Sequence, residues 1–208
     1  MEKKIKRPAA NIEIIEIIEI MHPKLIVGIG GSAGALNAYK ALLEATPSNT
    51  GMAFVIISHM NPTANSQLAL ILSRHTKMPV TVASMAMPIL ANCVYVIPPD
   101  ADLFIKNYTF NVISPRSGRN KQIDAFFISL AEAMGVRAIG IILSGYDGDG
   151  TEGCKHIKAH GGKTFAQDMS AEIDFMPLSA QDSGFVDFII PLNKIPAKLI
   201  KLEAALNI

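Results

Sequence analysis

Three short runs of residues, apolar at every position and each followed by a polar residue, constrain the fold more than anything else in the chain. They are residues 25–29 (Leu-Ile-Val-Gly-Ile), 53–57 (Ala-Phe-Val-Ile-Ile) and 138–143 (Ala-Ile-Gly-Ile-Ile-Leu). A strand with one face in water alternates apolar and polar residues; a continuous apolar run this short fits a parallel sheet covered by helices on both faces. Each run is followed by a helical pattern. The expected class is α/β, with a doubly wound, mainly parallel central sheet and helices on both faces. In such sheets ligands bind in the crevice beyond the carboxyl ends of the strands. Just past the three runs stand Ser32, His59 and Asp149, residue types that can serve as nucleophile, base and orienting acid.

The pattern continues through the chain. A strand at 24–30 leads into a helix near 34–46, a strand at 52–58, a helix near 65–75 and a strand at 80–83. The run 94–97 ends at Pro98-Pro99, and segments 102–106 and 109–113 flank Asn107-Tyr108, which predicts an antiparallel β-hairpin insertion. Ile123, Phe126, Phe127, Leu130, Ala131 and Met134 share one helical face, a packing stripe rather than a cofactor box. The strand at 138–143, a helix near 151–160 closed by Gly161-Gly162, a strand at 163–167 and a terminal strand and helix complete the pattern.

With 208 residues, half of them hydrophobic, the chain can bury one substantial core, and one domain over 23–208 is expected. Residues 1–22 differ: a basic start (Lys3, Lys4, Lys6, Arg7) precedes an isoleucine-glutamate repeat. Glu13, Glu16 and Glu19 inside that repeat argue against a signal peptide or a membrane anchor, so 1–22 reads as a tail or linker. A net charge of +1 and a pI near 7.8 supply no global field to gather nucleic acid or anionic lipid. Cys93 and Cys154 form no CxxC pair, which fits a reducing, cytoplasmic compartment.

Two readings compete at the glycine cluster. Residues 30–34 (Gly-Gly-Ser-Ala-Gly) satisfy G-x-S-x-G, a sharp strand-to-helix turn that projects a serine hydroxyl and bares backbone N–H groups. Residues 28–33 equally satisfy G-x-G-x-x-A, the phosphate turn of a dinucleotide-binding oxidoreductase. That second reading requires an acidic residue at the end of the next strand, where the chain has Ser58-His59-Met60. Spacing leaves either Asp147 or Asp149 able to face His59. His156 and His160, at i and i+4 beside Glu152 and Cys154, could form a metal face, but no third ligand of fixed spacing completes it. The expectation is no metal and no cofactor.

Taken together, residues 30–34, Ser58-His59-Met60, Val94-Tyr95-Val96-Ile97-Pro98-Pro99, residues 144–151 (Ser-Gly-Tyr-Asp-Gly-Asp-Gly-Thr), Ala166-Gln167-Asp168 and Met176-Pro177 follow the order seen in CheB-type catalytic domains. The chain over roughly 24–203 resembles these chemotaxis protein-glutamate methylesterases. The resemblance implies Ser32 as nucleophile, His59 as general base and Asp149 as orienting acid. It implies that glutamate γ-methyl esters on chemoreceptor cytoplasmic helices are the substrate, with glutamine deamidation as a related activity. It also implies Tyr146 as an oxyanion donor beside Ala33, with Met176 grouped with them at the substrate. A noncatalytic receptor-docking adaptor of the same fold is the alternative.

Ala35, Asp147 and Phe175 stand where the family commonly has glycine, and Asp147 adds a negative charge near the expected site. Regulated members of the family carry a phosphoacceptor receiver domain. Only 23 residues precede the first strand here, so such a domain is expected in a fusion or on a partner.

Overall fold

The structure, a computed structural model, describes residues 22–59 and 62–206, with the backbone alone at 62–66. The expected tail therefore lies outside the described residues, His22 excepted. Among the described residues, nine strands and six α-helices follow one another: β1 (Ile26–Gly31), α1 (Ala35–Ala45), β2 (Ala53–Ser58), α2 (Pro62–Leu72), β3 (Val80–Val82), β4 (Cys93–Val96), β5 (Asp102–Lys106), β6 (Thr109–Ile113), α3 (Gln122–Met134), β7 (Ala138–Ile142), α4 (Thr151–Ala159), β8 (Lys163–Gln167), α5 (Phe175–Asp182), β9 (Phe188–Ile190) and α6 (Ile195–Ala205).

Seven strands form one parallel sheet in the order β3-β4-β2-β1-β7-β8-β9, and β5 and β6 pair antiparallel as a separate hairpin. The doubly wound class and the hairpin insertion are thus as expected. The three apolar runs are the three central strands, with β1 between β2 and β7. Side chains alternate between two cores. Val27, Ile29, Phe54, Ile56, Ile139 and Ile141 pack with α1 and α6, whereas Ile26, Val55, Ile57 and Ile142 pack with α3 and α4. This two-sided burial is why no polar alternation marks those strands.

The α3 face of the sheet is built around glycine. A Cβ on Gly28 or Gly140 would stand 2.8 or 2.9 Å from the Phe127 ring, and one on Gly30 would stand 2.5 Å from Ile123. These glycines admit α3 directly onto the backbone of β1 and β7. Gly28 and Gly30 therefore lie inside a strand under a helix, not in a phosphate-binding turn, and the dinucleotide reading loses its motif.

Two further differences from expectation have plain causes. Helix α5 has no counterpart in the sequence pattern, because Phe175–Asp182 carries Pro177 and little apolar periodicity; Pro177 falls in the first turn, where its missing N–H costs nothing. The helix after β2 runs 62–72 rather than 65–75, since Pro62 can begin a helix.

Candidate active site

The sheet order decides which side chains can meet. The register pairs Gly31 with Ser58 across β1 and β2, and the His59 N–H donates to the Gly31 carbonyl. Ser32 and His59 are therefore the next residues beyond adjacent strand ends. On the other side of β1, the Ser32 N–H donates to the Ser144 carbonyl at 2.9 Å, which brings the 144–150 loop after β7 to the same edge. Residues more than a hundred positions apart reach one crevice because the central strand is shared.

Asp149 is the most heavily engaged group there. Its side chain has no solvent exposure. Oδ2 lies 2.5 Å from His59 Nε2 and accepts the Ile123 N–H at 2.9 Å, while Oδ1 accepts the Asp124 N–H at 2.9 Å. Ile123 and Asp124 are in the first turn of α3. The carboxylate thus satisfies helix N–H groups that lack intrahelical partners and sits at the positive end of the helix dipole. The Asp124 carboxylate in turn accepts the Gly153 N–H of α4 at 2.8 Å. Burial, opposed by that N–H and reinforced by the charge of Asp149, pushes Asp124 up to about 6.

His59 has acids at both ring nitrogens. Nε2 is on Asp149, and Nδ1 lies 3.2 Å from Asp147 Oδ2, an ion-pair approach off the line of a hydrogen bond. Asp147 itself is held, since its Oδ1 accepts the Asp149 N–H at 3.1 Å. The His59 side chain is 4% exposed. Burial pulls its pKa down, but the hydrogen bond and charge of Asp149 together with the charge of Asp147 outweigh burial, so the pKa lies above the ordinary histidine value.

Ser32 sits in the turn between β1 and α1. Gly34, at φ 75°, gives that turn a left-handed step, and a Cβ there would stand 2.6 Å from Ser144 Oγ. No hydrogen bond joins Ser32 to His59 in the structure. Ala33 and Tyr146 have N–H groups with no acceptor among the described residues, and Tyr146 is one of the exposed large hydrophobic residues. Met176 differs from both: it is fully buried, its N–H donates to the Gly145 carbonyl, and its thioether packs where a Gly145 Cβ would be. It supports the loop from beneath.

Two further residues that tie the candidate site together escape a reading of the sequence. Ser144 Oγ donates to the Ala33 carbonyl at 2.8 Å and accepts the Ile173 N–H at 2.9 Å, tying three loops together. Asp124 bridges the starts of α3 and α4. An acid in the first turn of an amphipathic helix was a signal for Asp124; Ser144, the first polar residue after β7, offered only its position. The histidines of α4 are otherwise employed. His156 Nε2 lies 3.4 Å from Glu152, His160 Nδ1 bonds the His156 carbonyl, and Cys154 is buried in the core. The four do not form a common face.

Comparison with known proteins shows the family. The CheB methylesterase family model matches residues 27–199. A protein of Leptospira interrogans (strain Fiocruz L1-130), provisionally named a protein-glutamate methylesterase/protein-glutamine glutaminase, is 34% identical over 84% of this chain and 93% of its own length. The protein-glutamate methylesterase/protein-glutamine glutaminase of Hydrogenovibrio crunogenus is 31% identical over 85% of this chain, which spans about half (49%) of that longer protein. The crystal structure of the Thermotoga maritima CheB methylesterase catalytic domain superposes with a TM-score of 0.79 at 29% identity, covering 86% of this chain and 98% of that one. The chain belongs to the CheB methylesterase family.

Proposed function

We propose that the protein hydrolyses glutamate γ-methyl esters on the cytoplasmic helices of a chemoreceptor, releasing methanol, and that it also deamidates receptor glutamine. Ser32, His59 and Asp149 carry the reaction in the cytoplasm. The observation that supports this best is the contact of His59 Nε2 with the buried, helix-anchored carboxylate of Asp149. A carboxylate there accepts a hydrogen bond from Nε2–H, which fixes the neutral imidazole with its lone pair on Nδ1.

The chemistry follows from that tautomer. Ser32 Oγ attacks the ester carbonyl as its proton passes to His59 Nδ1. The imidazolium so formed is stabilised by Asp149, and the tetrahedral oxyanion is met by the N–H groups of Ala33 and Tyr146. Collapse returns the Nδ1 proton to the departing methoxide, leaving methanol and a glutamyl ester of Ser32. A water molecule activated by the same nitrogen then releases free glutamate. With glutamine the leaving group is ammonia. Met176 and Ser144 act only by holding the loops that carry these donors.

Methanol release from a methylated receptor fragment tests the reading. Ser32→Ala should reduce it by on the order of a millionfold, as loss of the nucleophile does in other serine hydrolases, while the thermal midpoint stays near wild type. Wild-type turnover by Ser32→Ala would overturn the assignment of the nucleophile, whereas receptor binding with no methanol release by the unaltered protein would favour an adaptor that binds receptor without reacting.

A further inference from the structure

Asp147 is a charged group in contact with His59 that the reaction does not use. The acid beside it is buried and committed to a helix terminus, whereas the Asp147 side chain is 28% exposed and sits between exposed Tyr146 and exposed Gly148. The Asp149 N–H fixes one of its oxygens, and the other is aimed at His59 Nδ1. That nitrogen is the one on which the Ser32 proton must land, and no hydrogen bond from Ser32 reaches it in the structure.

We propose that Asp147 gates the general base: its carboxylate engages His59 Nδ1 in the resting site, and the Ser32–His59 pair forms when that carboxylate is turned away as a substrate helix meets the exposed loop tip. The inference rests on the reading of Ser32 and His59 as nucleophile and base.

The charge distribution around His59 fits this role. Of the elements packed about it, the 144–150 loop presents Asp147 and Asp149, and the α3 terminus carries Asp124, whose neighbour is Asp149 rather than His59. The turn at 30–34 carries no ionisable side chain. With acids at both nitrogens the ring favours the doubly protonated form, in which Nδ1 bears a proton and cannot accept one from Ser32. Asp149 must be retained for orientation, so the second acid is the adjustable one. Its position on a loop tip, two residues from the anchored acid, lets it swing at the cost of one hydrogen bond, that from the Asp149 N–H, while the contacts of the Asp149 carboxylate stay in place.

The test uses Asp147→Asn, which keeps an oxygen for the Asp149 N–H while removing the charge, and Asp147→Gly, which removes the side chain. The His59 ring is titrated by nitrogen NMR, and Ser32 is labelled with phenylmethylsulfonyl fluoride at neutral pH and followed by mass spectrometry. The gate requires both that the His59 titration move to lower pH in each variant and that Ser32 label severalfold faster than in wild type. An unchanged titration or an unchanged labelling rate overturns it. Failure of Ser32 to label in any variant would overturn the nucleophile reading and the gate with it, which separates the two failures.

Discussion

The base and the tip of the loop between β7 and α4 are built differently, and the difference separates what orients the reaction from what tunes it. At the base, Ser144 and Asp149 are buried and every hydrogen bond made by their side chains is to backbone or to His59. Met176 closes them from below, and Gly150 at φ 94° lets the chain pass over Ile123 and Ile142 into α4. At the tip, Tyr146 and Gly148 are exposed and Asp147 is partly so. Two aspartates two residues apart thus have unlike environments. A carboxylate held by two helix N–H groups cannot move without leaving both donors unpaired; one held by a single part-buried N–H gives up less.

Substitutions at the base should have the largest effects. Asp149→Asn should lower turnover by up to about 10,000-fold by favouring the wrong tautomer. It also sets an amide NH2 against the N–H groups of Ile123 or Asp124, so about 1–3 kcal/mol of stability should be lost in denaturant melts. Next comes Ser144→Ala, which leaves the half-buried Ile173 N–H without its acceptor; about 0.5–1.5 kcal/mol of destabilisation is expected, with a fall in turnover as the Ala33 and Tyr146 segments loosen. If Ser144→Ala is neutral in both assays, the base is less tightly built than the contacts indicate.

Effects at the tip should be smaller and should appear mainly in the pH profile. His59 must be neutral to act as base and its pKa is raised, so kcat/KM should climb with pH and level off above the position that an ordinary histidine, near ~6.5, would set. The stability His59 contributes runs the opposite way. It is fully present below the unfolded-state pKa and is lost as pH rises through the raised folded value. Asp147→Asn removes one of the two charges that raise the pKa, so the rising limb should move to lower pH with a change in the plateau well below that of Asp149→Asn. A plateau loss as large as that of Asp149→Asn would erase the distinction between base and tip.

The central strands were legible because burial on both faces leaves an unbroken apolar record, and the positions of Ser32 and His59 followed from the ends of those strands. The packing of α3 was only half legible. The stripe from Ile123 to Met134 marked its buried face, but nothing local said that Gly28 and Gly140 are the spaces that receive Phe127. The choice between Asp147 and Asp149 was not available from spacing, since it depends on the first turn of α3, some 25 residues earlier, whose N–H groups point at one carboxylate and not the other. Helix α5 was hidden by Pro177. Met176, grouped by resemblance with the groups that meet substrate, lies beneath the loop; its type and spacing say nothing about depth.

The account turns on the proton of His59. Nitrogen NMR of the ring, above its pKa and with Asp149 intact, reports which nitrogen carries the proton in the neutral form. The account predicts a protonated Nε2 on Asp149 and a lone pair on Nδ1. A neutral ring protonated at Nδ1 would place the base on the nitrogen that faces Asp149, and would contradict the assignment of Asp149 as the acid that orients it.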